Sequence, residues 1–172
     1  PVAVSAPPGG EDEDAAYLFL DASQRWLIRV DRRGGYELLL IPTGSGQPLE
    51  VVERGRLFPP GVRPVGFAAL QGGHAFVVSG TNGRILQFSP AVDVIGKATL
   101  AKSRSFDLGG AVAHYLAPDP SGRAFTAISD DGTIGLFHTT YSQRLLFTKL
   151  QVPRSVVQAA SASEGNVLAV LS

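Results

Sequence analysis

Three histidines, His74, His114 and His138, are the residues best suited to general acid–base or metal chemistry, and their spacing fits neither. A helical zinc site sets two histidines four residues apart with a glutamate between them, and no such pattern occurs. Cysteine is absent, which removes thiolate ligands and disulfides. A serine nucleophile needs a sharp turn of the G-x-S-x-G kind. Gly44-Ser45-Gly46 lacks that frame and reads as a loop. Gly96-Lys97 has neither the upstream glycine nor the following Ser or Thr of a phosphate-binding loop. Asp130 and Asp131 are adjacent, so in extended chain they point apart. They read as a hairpin turn, with a Ca²⁺ site as the alternative. Asp119 sits in a turn of the same kind. These residues give no catalytic group, no metal site and no cofactor, and the expectation is that the chain is not an enzyme.

The elements that would position such residues come from an internal repeat. Ala22 to Leu39, Gln71 to Phe88 and Pro120 to Phe137 align without a gap. Arg25, His74 and Arg123 share a column, as do Gly34, Gly83 and Gly132, and Leu39, Phe88 and Phe137. Each column recurs every 49 residues. A fixed period of that length, built from short apolar runs, is the signature of a β-propeller. Each copy reads as strand, turn, strand, glycine-containing turn, strand, then a looser fourth segment. In the third copy Tyr115 to Ala117 is a strand and Asp119-Pro120-Ser121-Gly122 a turn. Arg123 to Ser129 and Thr133 to Phe137 are strands joined at Asp130-Asp131-Gly132, and Gln143 to Leu150 is the fourth. Asn82-Gly83 gives the second copy the chemistry of a tight hairpin. The columns Leu27, Phe76, Phe125 and Leu39, Phe88, Phe137 are expected to lie in the core between blades. His74 replaces the arginine of its sister copies and reads as structural and partly exposed. His138 reads as a residue that lines a propeller face.

The fold expected is therefore all-β: a β-propeller-like fragment of about three and a half four-stranded blades. Residues 1–16 read as a flexible linker, Pro- and Gly-rich with the acidic run Glu11 to Asp14, leading into a first strand at Tyr17. Repeats fall near 17–64, 65–113 and 114–154, and a fourth starts over 155–172, where Gly165 to Ser172 matches Gly122 to Ser129. Arg54 to Pro64 reads as an inter-blade loop. A closed propeller has about four to eight blades. The expectation is a fragment of a longer propeller, or two copies completing each other through the open edge. The absence of methionine suits excision from a larger protein.

Fifteen basic and fifteen acidic residues cancel, so the chain lacks the electrostatic footprint of a nucleic-acid binder. No stretch approaches the roughly 18 apolar residues of a membrane span, and the residues given are not expected to hold a signal peptide.

The third repeat resembles a WD repeat, with a Pro-Asp turn, a strand, then Ser-Asp-Asp-Gly-Thr-Ile and an aromatic. The Trp-Asp pair of that family is Phe137-His138 and Phe88-Ser89 here, and the upstream Gly-His is missing. A divergent bacterial propeller is the form this resemblance implies. Ser129 to Leu146, SDDGTIGLFHTTYSQRLL, resembles the soluble propeller-like insert of some proteobacterial phosphate ABC transporter permeases of the Pst type. That resemblance implies a periplasmic domain of an inner-membrane protein, acting in partner binding or regulation of transport. Its implied partners are the phosphate-binding protein and the other transporter subunits. It carries over no transport residue. Recognition by loops makes Arg123, Asp130, Asp131, His138, Thr139 and Tyr141 the candidate partner contacts. The rival readings are a protein-interaction propeller of a soluble cytoplasmic protein, and an enzyme or sugar-binding propeller whose central site lies in other blades.

Overall fold

The fold follows from turn chemistry and strand alternation repeated at one period. The structure is a computed structural model that describes residues 15–44, 46–151, 155–156, 158–161 and 168–171. Three antiparallel sheets each take four consecutive strands. The first holds β1 (Ala15–Leu20), β2 (Trp26–Asp31), β3 (Gly35–Leu40) and β4 (Glu50–Arg56). The second holds β5 (Pro64–Ala69), β6 (Phe76–Gly80), β7 (Arg84–Val92) and β8 (Ala98–Asp107). The third holds β9 (Ala113–Pro118), β10 (Ala124–Ser129), β11 (Thr133–His138) and β12 (Arg144–Lys149). A hairpin of β13 (Gln158–Ser161) and β14 (Leu168–Leu171) follows. One 3-10 turn, Gln71–Gly73, interrupts the pattern.

The repeated glycine column has a backbone cause. Gly34, Gly83 and Gly132 have φ of +81°, +77° and +81°. Each donates its N–H to the carbonyl three residues earlier, on Asp31, Gly80 and Ser129. This is a three-residue hairpin ending in a left-handed glycine, not the two-residue turn that Asn82-Gly83 suggests.

The sheets stand face to face. The first strands form an inner row, with β5 beside β9 and β9 beside β13, and β4 meets β8 on the outside. Strand alternation sends successive residues to opposite seams. Phe76 and Val78 join Ile28, Val30 and Leu38 in the first seam. Val77 and Ile85 join Phe106, Phe125 and Phe137 in the second. Ile128, Ile134 and Val156 form the third, against β14.

Three expectations need correction. Arg54 to Arg56 belong to β4, so the inter-sheet loop is shorter and begins at the buried Leu57 and Phe58. Ala15 and Ala16 belong to β1 and not to a linker; residues 1–14 lie outside the described set. Leu27 and Leu39 are only half-buried, whereas Phe76, Phe88, Phe125 and Phe137 are buried. Their columns are right. They face the side of the first sheet that no described element covers. Of the expected fourth copy, β14 is a strand as read, while residues 162–167 and 172 lie outside the described set.

Candidate interaction face

Strand direction sorts every loop to one of two ends. The near end carries the connections between first and second strands and between third and fourth strands. The far end carries the glycine hairpins and the inter-sheet loops. Arg123 precedes β10 and His138 closes β11, so both stand at the near end with Thr139 and Tyr141. Asp130 and Asp131 lie beyond the other end of β10, about 20 Å away at ~3.4 Å per residue. The six candidate residues therefore form two groups, not one.

Thr139 is the residue that accessibility reasoning misplaced. It is 8% exposed. Its N–H donates to Arg123 O at 2.8 Å and its hydroxyl to Gly122 O at 3.0 Å. Its carbonyl accepts from Arg104 Nε of the second sheet at 2.6 Å. Thr139 thus ties two near-end loops and two sheets together. Arg123 is exposed. Tyr141 is 65% exposed, and its ring lies 5.0 Å from that of His138. The Thr140 N–H donates to His138 Nδ1 at 3.1 Å, which fixes the imidazole orientation.

Asp131 is occupied locally. It accepts from Ser129 Oγ, from the Thr133 N–H and hydroxyl, and from Lys149 Nζ at 2.6 Å. Lys149 first, then the Ser129 and Thr133 donors, hold its carboxyl far below the usual carboxylate range. Asp130 is half-exposed and 3.5 Å from His114 Nε2. No group of three or more His, Asp or Glu among the described residues is placed to hold a metal.

Sequence reasoning missed the most prominent near-end feature. The β7–β8 hairpin, with strands of 9 and 10 residues, outruns the 6- and 7-residue strands of its sister sheets. At its tip Val94 is 104% and Ile95 83% exposed. The tip is held in shape. Asp93 Oδ1 accepts the Ile95 and Lys97 N–H groups at 3.0 and 2.8 Å, and Gly96 takes φ +83°. Gly96-Lys97 is therefore a turn. The run Asp93 to Lys97 could have exposed the hairpin, since it puts Gly after two aliphatics between strand-like stretches.

At the same end a cleft of about 380 Å³ opens between β1 and β5, lined by Leu18, Gln24, Phe67, Ala69 and Gly73. Its rim is set by Asp21. Burial pushes the Asp21 carboxyl up, but hydrogen bonds from Ser23, Trp26 and Arg25 outweigh this and hold it low. Arg25, His74 and Arg123, one column of the repeat, all surface at this end.

No family model and no curated protein matches the chain. Among solved structures, the β-propeller domain of Cps50 (Swd1) from Myceliophteria thermophila superposes with a TM-score of 0.68 at 12% identity. The fold is that of a β-propeller. The match covers 89% of this chain and 48% of that one, so the chain spans about half the length of its structural neighbour. At that identity the likeness fixes the architecture alone, with three four-stranded blades and a two-stranded start of a further one.

Proposed function

We propose that this propeller stretch is a non-catalytic recognition segment that binds a protein through its near end. The observation that carries the reading is the projecting β7–β8 hairpin, whose Val94 and Ile95 side chains stand exposed at its tip. Two aliphatics held in water at a pre-shaped tip suit insertion into an apolar pocket, where rigid anchors lose little entropy on binding. Tyr141 and Arg123 stand at the same end, with residue types that interfaces favour.

Within that reading the parent is a phosphate ABC transporter permease of the Pst type. The chain is then part of its periplasmic domain, and the phosphate-binding protein is the partner. The support is the Ser129 to Leu146 stretch, whose turn and aromatic strand form the third blade's centre. A soluble cytoplasmic interaction propeller is the rival.

Binding of the purified phosphate-binding protein from the same source to the immobilised chain tests both levels. Saturable binding that Val94→Ser with Ile95→Ser weakens at least tenfold supports the partner and the face. Binding that the double variant leaves unchanged removes the near-end face. No binding removes this partner, and sequencing the flanking reading frame then decides between a membrane parent and a soluble one.

A further inference from the structure

The outer strands of the three blades are not guarded alike. β4 carries Glu50, Glu53, Arg54 and Arg56. β8 carries Lys102, Arg104 and Asp107, and Glu53 occupies its edge by accepting the Leu100 N–H at 2.6 Å. Charges and occupied donors of this kind keep a sheet edge from adding a foreign strand. β12 reads Arg-Leu-Leu-Phe-Thr-Lys, so uncharged residues run unbroken from Leu145 to Thr148. Every residue of β12 is exposed. Among the described strands its one ladder partner is β11, and its other edge is open.

The register tells which backbone groups that edge presents. The Leu150 N–H donates to Gly132 O at 2.9 Å. Ile134 with Thr148 and Leu136 with Leu146 are the next pairs of the same parity, and antiparallel alternation turns their bonds inward too. Phe147 and Lys149 therefore direct N–H and C=O groups away from β11. The Phe147 ring is anchored: a Cβ on Gly109 would lie 3.0 Å from it, and the Arg144 guanidinium stands 4.1 Å from its centroid. Lys149 is matched to Asp131. Arg144 forms no ion pair among the described residues.

We propose that β12 docks an extended segment of another protein, which adds to the third blade as a further outer strand. The segment is apolar or β-branched along its middle and carries an acid at the end that meets Arg144. Main-chain hydrogen bonds to Phe147 and Lys149 hold it, and alternate side chains beside Leu145 and Phe147 select it. A carboxylate on Arg144 forms a paired, charge-assisted contact. A second copy of this chain is a poor occupant, because Arg144 to Gln151 holds two cations and no acid. The site lies on a different blade from the β7–β8 tip, so its failure leaves the partner face proposed above intact.

The probe is a random decapeptide library displayed on phage, selected against the immobilised 172-residue chain. Enriched peptides are expected to alternate β-branched or aromatic residues and to end in Asp or Glu. A synthetic peptide of enriched sequence is expected to slow hydrogen exchange at the Phe147 and Lys149 amides. It is expected to bind about tenfold more weakly to Leu145→Lys, which restores a guarding charge, and to Phe147→Pro, which deletes one outward donor and leaves the inward ladder whole. Arg144→Glu is expected to turn the selected end from acidic to basic. Far-UV circular dichroism confirms that the variants fold. No enrichment overturns the proposal, and so do peptides that bind Leu145→Lys and Phe147→Pro as well as the native chain. Sedimentation equilibrium in which the native chain dimerises and Leu145→Lys does not assigns the edge to a second copy and overturns it too.

Discussion

The Glu53 carboxylate accepts the Leu100 backbone N–H at 2.6 Å, across the seam between the first and second blades. Its other oxygen takes the Thr99 hydroxyl at 2.8 Å. One acid on β4 therefore clamps the outer strand of its own blade to β8. Replacing Glu53 by Ala is expected to lower unfolding free energy by about 2 kcal/mol, the range for hydrogen bonds to a charged group. Thr99→Val is expected to cost about half that. Urea denaturation of both variants checks the order.

The same carboxylate reaches Tyr36. Burial first, then the hydrogen bond and charge of Glu53, push the Tyr36 phenol up to about 12 from 10.0. The folded state holds this proton more tightly than the unfolded state. The associated stability is complete below pH 10 and is lost as pH rises toward 12. Glu53→Gln is expected to lower the Tyr36 midpoint, measurable by phenolate absorbance, because the charge is gone.

Gly66 has no room for a side chain. A Cβ there would lie 2.6 Å from Ser79 Oγ, 2.9 Å from His114 O and 3.1 Å from Ala113 O. The buried Ser79 hydroxyl donates to Ala113 O at 2.5 Å across that gap, holding β9 against the second blade. Gly66→Ala is expected to push β9 away and destabilise by at least ~2 kcal/mol, overpacking and a broken buried hydrogen bond combined. A thermal midpoint within a degree of the parent would sink this account.

Asp131 gives an acid-dependent signature. Its carboxyl is depressed in the folded chain, so its contribution is present above the ordinary carboxylate value near 4 and is lost as pH falls toward 2 and below. Asp131→Asn is expected to lower the melting temperature at pH 7, with the gap to the parent closing on acidification. A gap that stays constant down to pH 2 counts against the Lys149 contact.

Position in the seam, and not residue type, sets the cost of deleting a column residue. Phe125 is fully buried, and Phe125→Ala is expected to cost ~3–5 kcal/mol. Leu27, in the same column, is half-buried, and Leu27→Ala is expected to cost ~1 kcal/mol. Paired denaturation curves decide it.

The blade pattern was legible because two local rules wrote it redundantly. Gly132 needs a left-handed backbone and Phe125 a buried face, and both recur at Gly83 and Phe76 with the same spacing. The partial exposure of Leu27 was not legible, because alternation tells which face a residue takes but not what covers that face. Thr139 was misplaced for a related reason. Its burial depends on Arg104, 35 residues away in another blade, and no local pattern encodes that contact. Asp130 and Asp131 were grouped with His138 because all lie in or beside loops, although one strand length separates them in space. The β7–β8 hairpin escaped notice because its extra length breaks the repeat instead of following it.

Each four-stranded sheet is built from one uninterrupted run of chain, so no blade borrows a strand from another. A genetic duplication or deletion of 49 residues therefore keeps every ladder whole wherever it begins, provided the phase is kept. The contacts across the seams, such as Glu53 with Leu100 and the Ala22 N–H with Gly73 O, must be renegotiated. An arrangement of this kind lets a lineage change its blade number by copying, and adjust the joints afterwards by point substitution.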